Sequence, residues 1–148
     1  MAVVAVSLII LFAMAQFSSQ PDNLGVRNGN LAGCPQSPNC VSTQALDEAH
    51  RIDPIPFGGS PAAALASCRE VLASMPRSRI VKESGNYLRV EFRSRLFRFV
   101  DDVEIYVDPA QHLIQLRSAS RLGYSDLGVN RQRMEQFRAR FEEASANR

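Results

Sequence analysis

Apolar residues follow two rhythms along this chain, and two further stretches have no rhythm at all. Between residues 60 and 76, Leu65, Cys68, Leu72 and Met75 stand three, four and three apart, the one-sided stripe of an amphipathic helix. Ser60 supplies a capping side chain, Pro61 suits the first helical position, and Pro76 stops the run. From residue 79 to 117 the period drops to two. Leu88, Val90 and Phe92 alternate with Arg89, Glu91 and Arg93; Val103, Ile105 and Val107 alternate with Glu104 and Tyr106; Ile114 and Leu116 alternate with Gln115 and Arg117. Each run predicts a half-buried strand. Arg79–Lys82 forms a hairpin with Tyr87–Arg93 through Ser84-Gly85-Asn86, Leu96–Val100 adds a short aromatic strand, and Asp108-Pro109-Ala110-Gln111 is a turn. Helical spacing returns at Met134, Phe137 and Phe141, predicting a closing helix from about Asp126 or Asn130 to Glu143, with Asp126 as its cap.

The pattern predicts an α+β domain over residues 60–143. Its antiparallel sheet has four to five strands, with two helices packed on one face in the order helix, strands, helix. The other face carries Arg89, Glu91, Arg93, Glu104, Tyr106, Gln115 and Arg117 and is expected to be wet or functional.

Residues 16–59 are rich in Pro, Ser, Asn and Gly and show no apolar period, so they read as an extended segment with a brief helical turn around Gln44–His50. Residues 144–148 read as a disordered tail. Within residues 1–15, residues 2–15 form an apolar run with no charge and one Ser. Fourteen residues at ~1.5 Å each span ~21 Å, short of a bilayer core of ~30 Å. That length fits a signal peptide, with Ala13-Met14-Ala15 before the cleavage point, or an anchor extended through Phe17 and held in the membrane by residues 2–17. The remainder is then expected outside the cytoplasm, in a periplasm or cell envelope. Leu31-Ala32-Gly33-Cys34 imitates a lipoprotein box but lies too far from the apolar run, beyond Asp22 and Arg27.

Composition adds bounds. The 148 residues are 45% hydrophobic and 22% charged, an ordinary globular mixture. A net charge of +2 gives no general case for nucleic acid, although Arg89, Arg93, Arg95 and Arg98 interleave with Tyr87, Phe92, Phe97 and Phe99. Lys82 is the only lysine among seventeen basic residues. Cys34 and Cys40 flank five residues, two of them Pro. In an oxidising compartment a disulfide is the leading reading; free thiols, or a metal site with His50, are the alternatives. Cys68, on the apolar stripe, reads as an inert core residue.

The densest chemistry lies in Arg117–Arg131, where three Arg, three Ser, one Asp and one Asn join the last strand to the last helix. Arg117, Arg121 and Arg131 offer bidentate donors; Ser118, Ser120, Ser125 and Asn130 offer neutral ones; Asp101, Asp102 and Asp126 are acidic neighbours. Either these groups cradle an anion at the helix N-terminus, or the acids satisfy the arginines inside a structural corner. An enzyme is harder to assemble: Ser118 or Ser120 with His50 and Asp101 or Asp102 would need spatial convergence, His112 is the only other His, and no Gly-x-Ser-x-Gly elbow, phosphate loop or dinucleotide fingerprint is present.

Four phrases together resemble a known family: Leu24-Gly-Val-Arg-Asn-Gly29, Cys34-Pro-Gln-Ser-Pro-Asn-Cys-Val-Ser42, Phe99-Val-Asp-Asp-Val-Glu104 and Arg117–Arg131. This part of the chain, roughly residues 24–143, is similar to the bacterial and plastid domain-of-unknown-function family numbered 1499. The resemblance implies a leader or membrane segment, common among members, and implies no activity. The expectation is an exported or tethered envelope domain without a cofactor. It would be non-enzymatic, and it would bind a small anionic molecule, a lipid headgroup or an envelope protein at the Arg117–Arg131 corner. A hydrolase-like enzyme and a purely structural module are the alternatives.

Overall fold

The computed structural model describes residues 18–147. Residues 1–17, where a signal peptide or anchor is expected, lie outside the described residues, among which no helix is long and apolar enough to cross a membrane. Strands β1 (Cys40–Ser42) and β2 (Ile55–Pro56) are followed by helix α1 (Pro61–Ser74). Four longer strands come next: β3 (Ser78–Ser84), β4 (Tyr87–Arg93), β5 (Val100–Asp108) and β6 (Leu113–Ser120). Helix α2 (Val129–Ala146) closes the chain. The sheet is antiparallel and six-stranded, in the order β1-β6-β5-β4-β3, with β2 also on β6.

The α+β expectation holds, with corrections to its strands and to its last helix. The sheet has six strands because two short pieces of the Pro-rich segment pair with the free edge of β6, Cys40 opposite Ala119 and Ile55 opposite Ile114. Two strands therefore precede the first helix. The aromatic run Leu96–Val100 is not a strand before Val100. Arg98 takes a left-handed φ of 57°, and the Ser94 hydroxyl and amide close residues 94–99 into a loop against the Phe99 amide and carbonyl. Around Gln44–His50 a single turn closes from the Asp47 carbonyl to the Arg51 amide at 3.1 Å, and α2 continues to Ala146, past the expected end at Glu143.

Local chemistry explains the boundaries. The Ser60 hydroxyl accepts from the Ala63 amide at 3.2 Å and Pro61 opens α1. Gly85 takes a φ of 57° in the β3–β4 turn, a conformation cheap only without a Cβ. The Asp108 carboxylate accepts from the Ala110 and Gln111 amides in the β5–β6 turn. The left-handed Gly128 offers α2 no capping side chain, so Asp126 reaches forward to accept from Gly128 and Asn130 amides.

The helices bury Leu65, Cys68, Leu72, Met134, Phe137 and Phe141 against Leu88, Val90, Val103, Ile105, Ile114 and Leu116. The alternation along β4, β5 and β6 thus sends the apolar set to the helices as its period requires. The opposite face is not open. Residues from the covering segment lie over it: Gly25 N–H donates to Glu104, Thr43 bonds Gln115, and Arg117 donates to the Gly33 carbonyl. Arg89, Glu104, Gln115 and Arg117 are buried in consequence, while Glu91, Arg93 and Tyr106 are half-buried.

Candidate functional site

A disulfide joins Cys34 and Cys40, which excludes the pair from a metal site with His50. It ties the covering segment to the start of β1. Cys68 is the free cysteine and is fully buried; burial pushes its thiol up to about 12.

The covered sheet face holds a chain of charges. Glu104 is 0% exposed and accepts from the Tyr87 hydroxyl (2.8 Å), the Gly25 amide (2.7 Å) and Arg117 Nη1 (3.1 Å). Burial, and then the neighbouring Glu104 charge, push the Tyr87 phenol well above its ordinary range. Arg121 grips Asp102 bidentately, Nε at 2.7 Å and Nη2 at 2.8 Å, and reaches Glu91 at 2.6 Å. The hydrogen bonds to Asp102 raise the Arg121 guanidinium above its ordinary value against the cost of burial. Burial opposes ionisation of Glu91, but hydrogen bonds and charge from Arg121 and then Arg93 hold its pKa below the ordinary one.

The Arg117–Arg131 corner is therefore internally engaged. Arg117 serves Glu104 and the Gly33 carbonyl, with its Nε left unpaired. Arg121 serves Asp102, Glu91 and the Ser18 carbonyl; Arg131 donates to the Ala49 and Arg51 carbonyls at 2.8 Å. Asp101 holds Arg133, Nη2 at 2.6 Å. Asn130 is fully buried; it accepts from the Ser118 hydroxyl and donates to the Asn39 carbonyl and the Ser120 hydroxyl. Ser125 accepts from the Leu127 amide and Asp126 caps α2. Most of the expected residues come together, but mainly with one another.

No histidine joins them. His50 uses Nδ1 on Asp47 (2.7 Å) and Nε2 on the Ser37 carbonyl (3.0 Å). His112 lies at the opposite end of the sheet, beside Phe57. The Ser118 hydroxyl is held by Asn130 and Arg133.

Two adjoining clefts open at the end of the sheet where β4 ends and β5 begins. One, of about 340 Å³, is lined by Met75, Arg77, Arg93, Arg95, Asp101 and Arg133, among others. The other, of about 410 Å³, is lined mainly by apolar atoms, with Phe99, Leu122, Leu127 and Val129 among its walls. They share Ser94, Asp101 and Val129. Arg133 lies over the Phe92 ring at 4.7 Å and is paired with Asp101, and Arg93 is paired with Glu91. Among the described residues Arg77 and Arg95 have no ionic partner. The sequence signal for Arg93, Arg95 and Arg98 was the aromatic-interleaved arginine run. Nothing local marked Arg77, which is brought in by the turn from α1 into β3 with a φ of 60°.

No curated protein and no solved structure matches the chain. The profile of the protein of unknown function DUF1499 matches residues 30–141, including β1, the whole sheet, the disulfide and most of α2. The chain belongs to the DUF1499 family.

Proposed function

We propose that this chain is a non-enzymatic binding domain of an oxidising, extracytoplasmic compartment. It takes an anionic group, phosphate or carboxylate, in the cleft bounded by Arg77, Arg93 and Arg95. One observation carries the reading. Two guanidinium groups without acidic partners converge with two paired ones on a single open cleft, and the acid in its wall, Asp101, is already committed to Arg133. Planar, always-charged forks of this kind match the oxygens of a phosphate or carboxylate. The Cys34–Cys40 disulfide and the apolar residues 2–15 support the compartment. The pairing of Arg117, Arg121 and Arg131 supports a structural role for that corner, which then braces the cleft. A serine hydrolase lacks support, because no base reaches Ser118 or Ser120.

Thermal unfolding with inorganic phosphate and with citrate tests the reading. A saturable rise in Tm is expected, lost in Arg77→Gln/Arg95→Gln and kept in Arg79→Gln, whose exposed side chain is outside the cleft. No rise with either anion on the unaltered chain overturns it.

A further inference from the structure

The two clefts sit among protruding apolar side chains. Leu96 is 78% exposed, Tyr124 76% and Leu127 93%, and Val129 stands beside them. Leu96, Tyr124 and Leu127 come from two loops, 94–99 and 121–128, that face each other across the apolar cleft, and Val129 opens α2. Leu127 is held outward on a left-handed backbone of φ 54°, a conformation a leucine rarely takes. A pocket for one soluble molecule would turn such side chains inward; here the tips point into solvent.

The charges at this end are unbalanced. The acids on this end of β4 and β5 and before α2 are occupied: Glu91 and Asp102 hold Arg121, Asp101 holds Arg133, and Asp126 caps α2. Arg77, Arg95 and Arg98 are left exposed, with no acidic partner among the described residues. Apolar tips ringed by free arginines are the composition of a surface that rests in a negatively charged lipid interface.

The chain itself indicates the same direction. The Ser18 carbonyl accepts from Arg121 Nη1 at 3.4 Å, which places residue 18 beside the end of β6, at the sheet end that bears these loops. Residues 2–17, immediately upstream, carry no charge and are almost wholly apolar. A leader retained in a bilayer would bring this end of the domain to the lipid first.

We infer that loops 94–99 and 121–128 form a membrane-docking surface. Leu96, Tyr124 and Leu127 enter the interface of an anionic bilayer, and Arg77, Arg95 and Arg98 engage its lipid phosphates. This rests on the anion-binding reading of the arginine cleft and names the anion's source.

The chain has no tryptophan, so one introduced indole reports alone. The full-length chain carrying Leu127→Trp, or Leu96→Trp as a second probe on ordinary backbone, is mixed with phosphatidylglycerol or phosphatidylcholine vesicles containing brominated acyl chains. Leu46→Trp is the control, 99% exposed in the loop after β1. Docking predicts a blue shift and quenching at positions 127 and 96 on phosphatidylglycerol alone, with position 46 unchanged. Adding Arg95→Gln or Arg98→Gln to the Leu127→Trp chain should lower the partition constant, read from a lipid titration, about five-fold for each arginine removed. Solvent-like emission from both probes on phosphatidylglycerol, or equal responses on both lipids, overturns the inference. If phosphate still raises Tm in that event, the cleft binds a soluble anion and the proposed function stands without the membrane.

Discussion

Replacing Glu104 with Gln tests whether the covering segment is fastened to the sheet by buried charge. The substitution preserves shape and leaves one carbonyl oxygen to accept from Tyr87 and Gly25, now at 2.8 and 2.7 Å. It removes the counter-charge of Arg117, whose Nη1 would face an amide N–H₂ group in place of a carboxylate oxygen. Arg117 is nearly as buried as Glu104, and Arg89 nearby already has Nε and Nη1 unpaired, so neither can relax into water without displacing the segment. Breaking a buried pair of this kind costs about 3–5 kcal/mol. At about 4 °C per kcal/mol for a domain of this size, Tm should fall by roughly 12–20 °C. Urea unfolding of Glu104→Gln, Arg117→Met and Glu104→Gln/Arg117→Met completes the cycle. The double variant should be less damaged than the sum of the singles, because removing both partners leaves no stranded charge at this pair. A Glu104→Gln chain within about 1 kcal/mol of the unaltered protein would refute the argument, since a buried charge cannot lose its partner so cheaply.

Other outcomes follow from the same structure. Thiol titration of the unreduced protein should find one group after denaturation and none in the native state, because Cys34 and Cys40 are bonded and Cys68 is buried with its thiol pushed up to about 12; opening the disulfide by Cys34→Ser/Cys40→Ser should cost about 2 kcal/mol in urea. Asn130→Ala should cost about 1–3 kcal/mol, read as a lower urea midpoint, because the buried Ser118 hydroxyl loses the acceptor of its proton while the Asn39 carbonyl and the Ser120 hydroxyl each lose one partner. Glu91 has a depressed folded pKa, so its contribution is complete above the ordinary glutamate value and is lost as pH falls through the lower folded one. Urea midpoints should decline from about pH 5 downward, and Glu91→Gln should flatten part of that decline while lowering stability at pH 7.

The parts legible in the sequence were those with a period. Leu88, Val90 and Phe92 mark the buried side of β4 by their spacing alone, as Met134, Phe137 and Phe141 mark the buried stripe of α2. What period two cannot say is whether the polar side meets water or another part of the chain. Arg89, Glu104 and Arg117 looked like a solvent or ligand surface because their cover, residues 18–45, attaches through single backbone groups such as the Gly25 amide and Gly33 carbonyl, which leave no side-chain pattern. The same limit affected the corner. The abundance of Arg and Ser between 117 and 131 was visible, but its internal satisfaction depended on Glu91 and Glu104, from other strands. The open cleft needed Arg77 and Arg95, eighteen positions apart, to meet across the start of β3 and the end of β4.

The bonds that seal the covering segment have a consequence for how the protein is made. Gly25 meets Glu104 across 79 positions, Asn39 meets Gly123 across 84, and Asn39 meets Asn130 across 91. Polypeptides emerge from the ribosome or translocon N-terminus first, so the lid of this sheet is synthesised long before its seat exists. The six-position ring between Cys34 and Cys40 can close locally at once, whereas the segment around it waits until β6 and the first turn of α2 have appeared. Long loops of this kind are slow to close, so maturation should end with the front of the chain folding down onto its back.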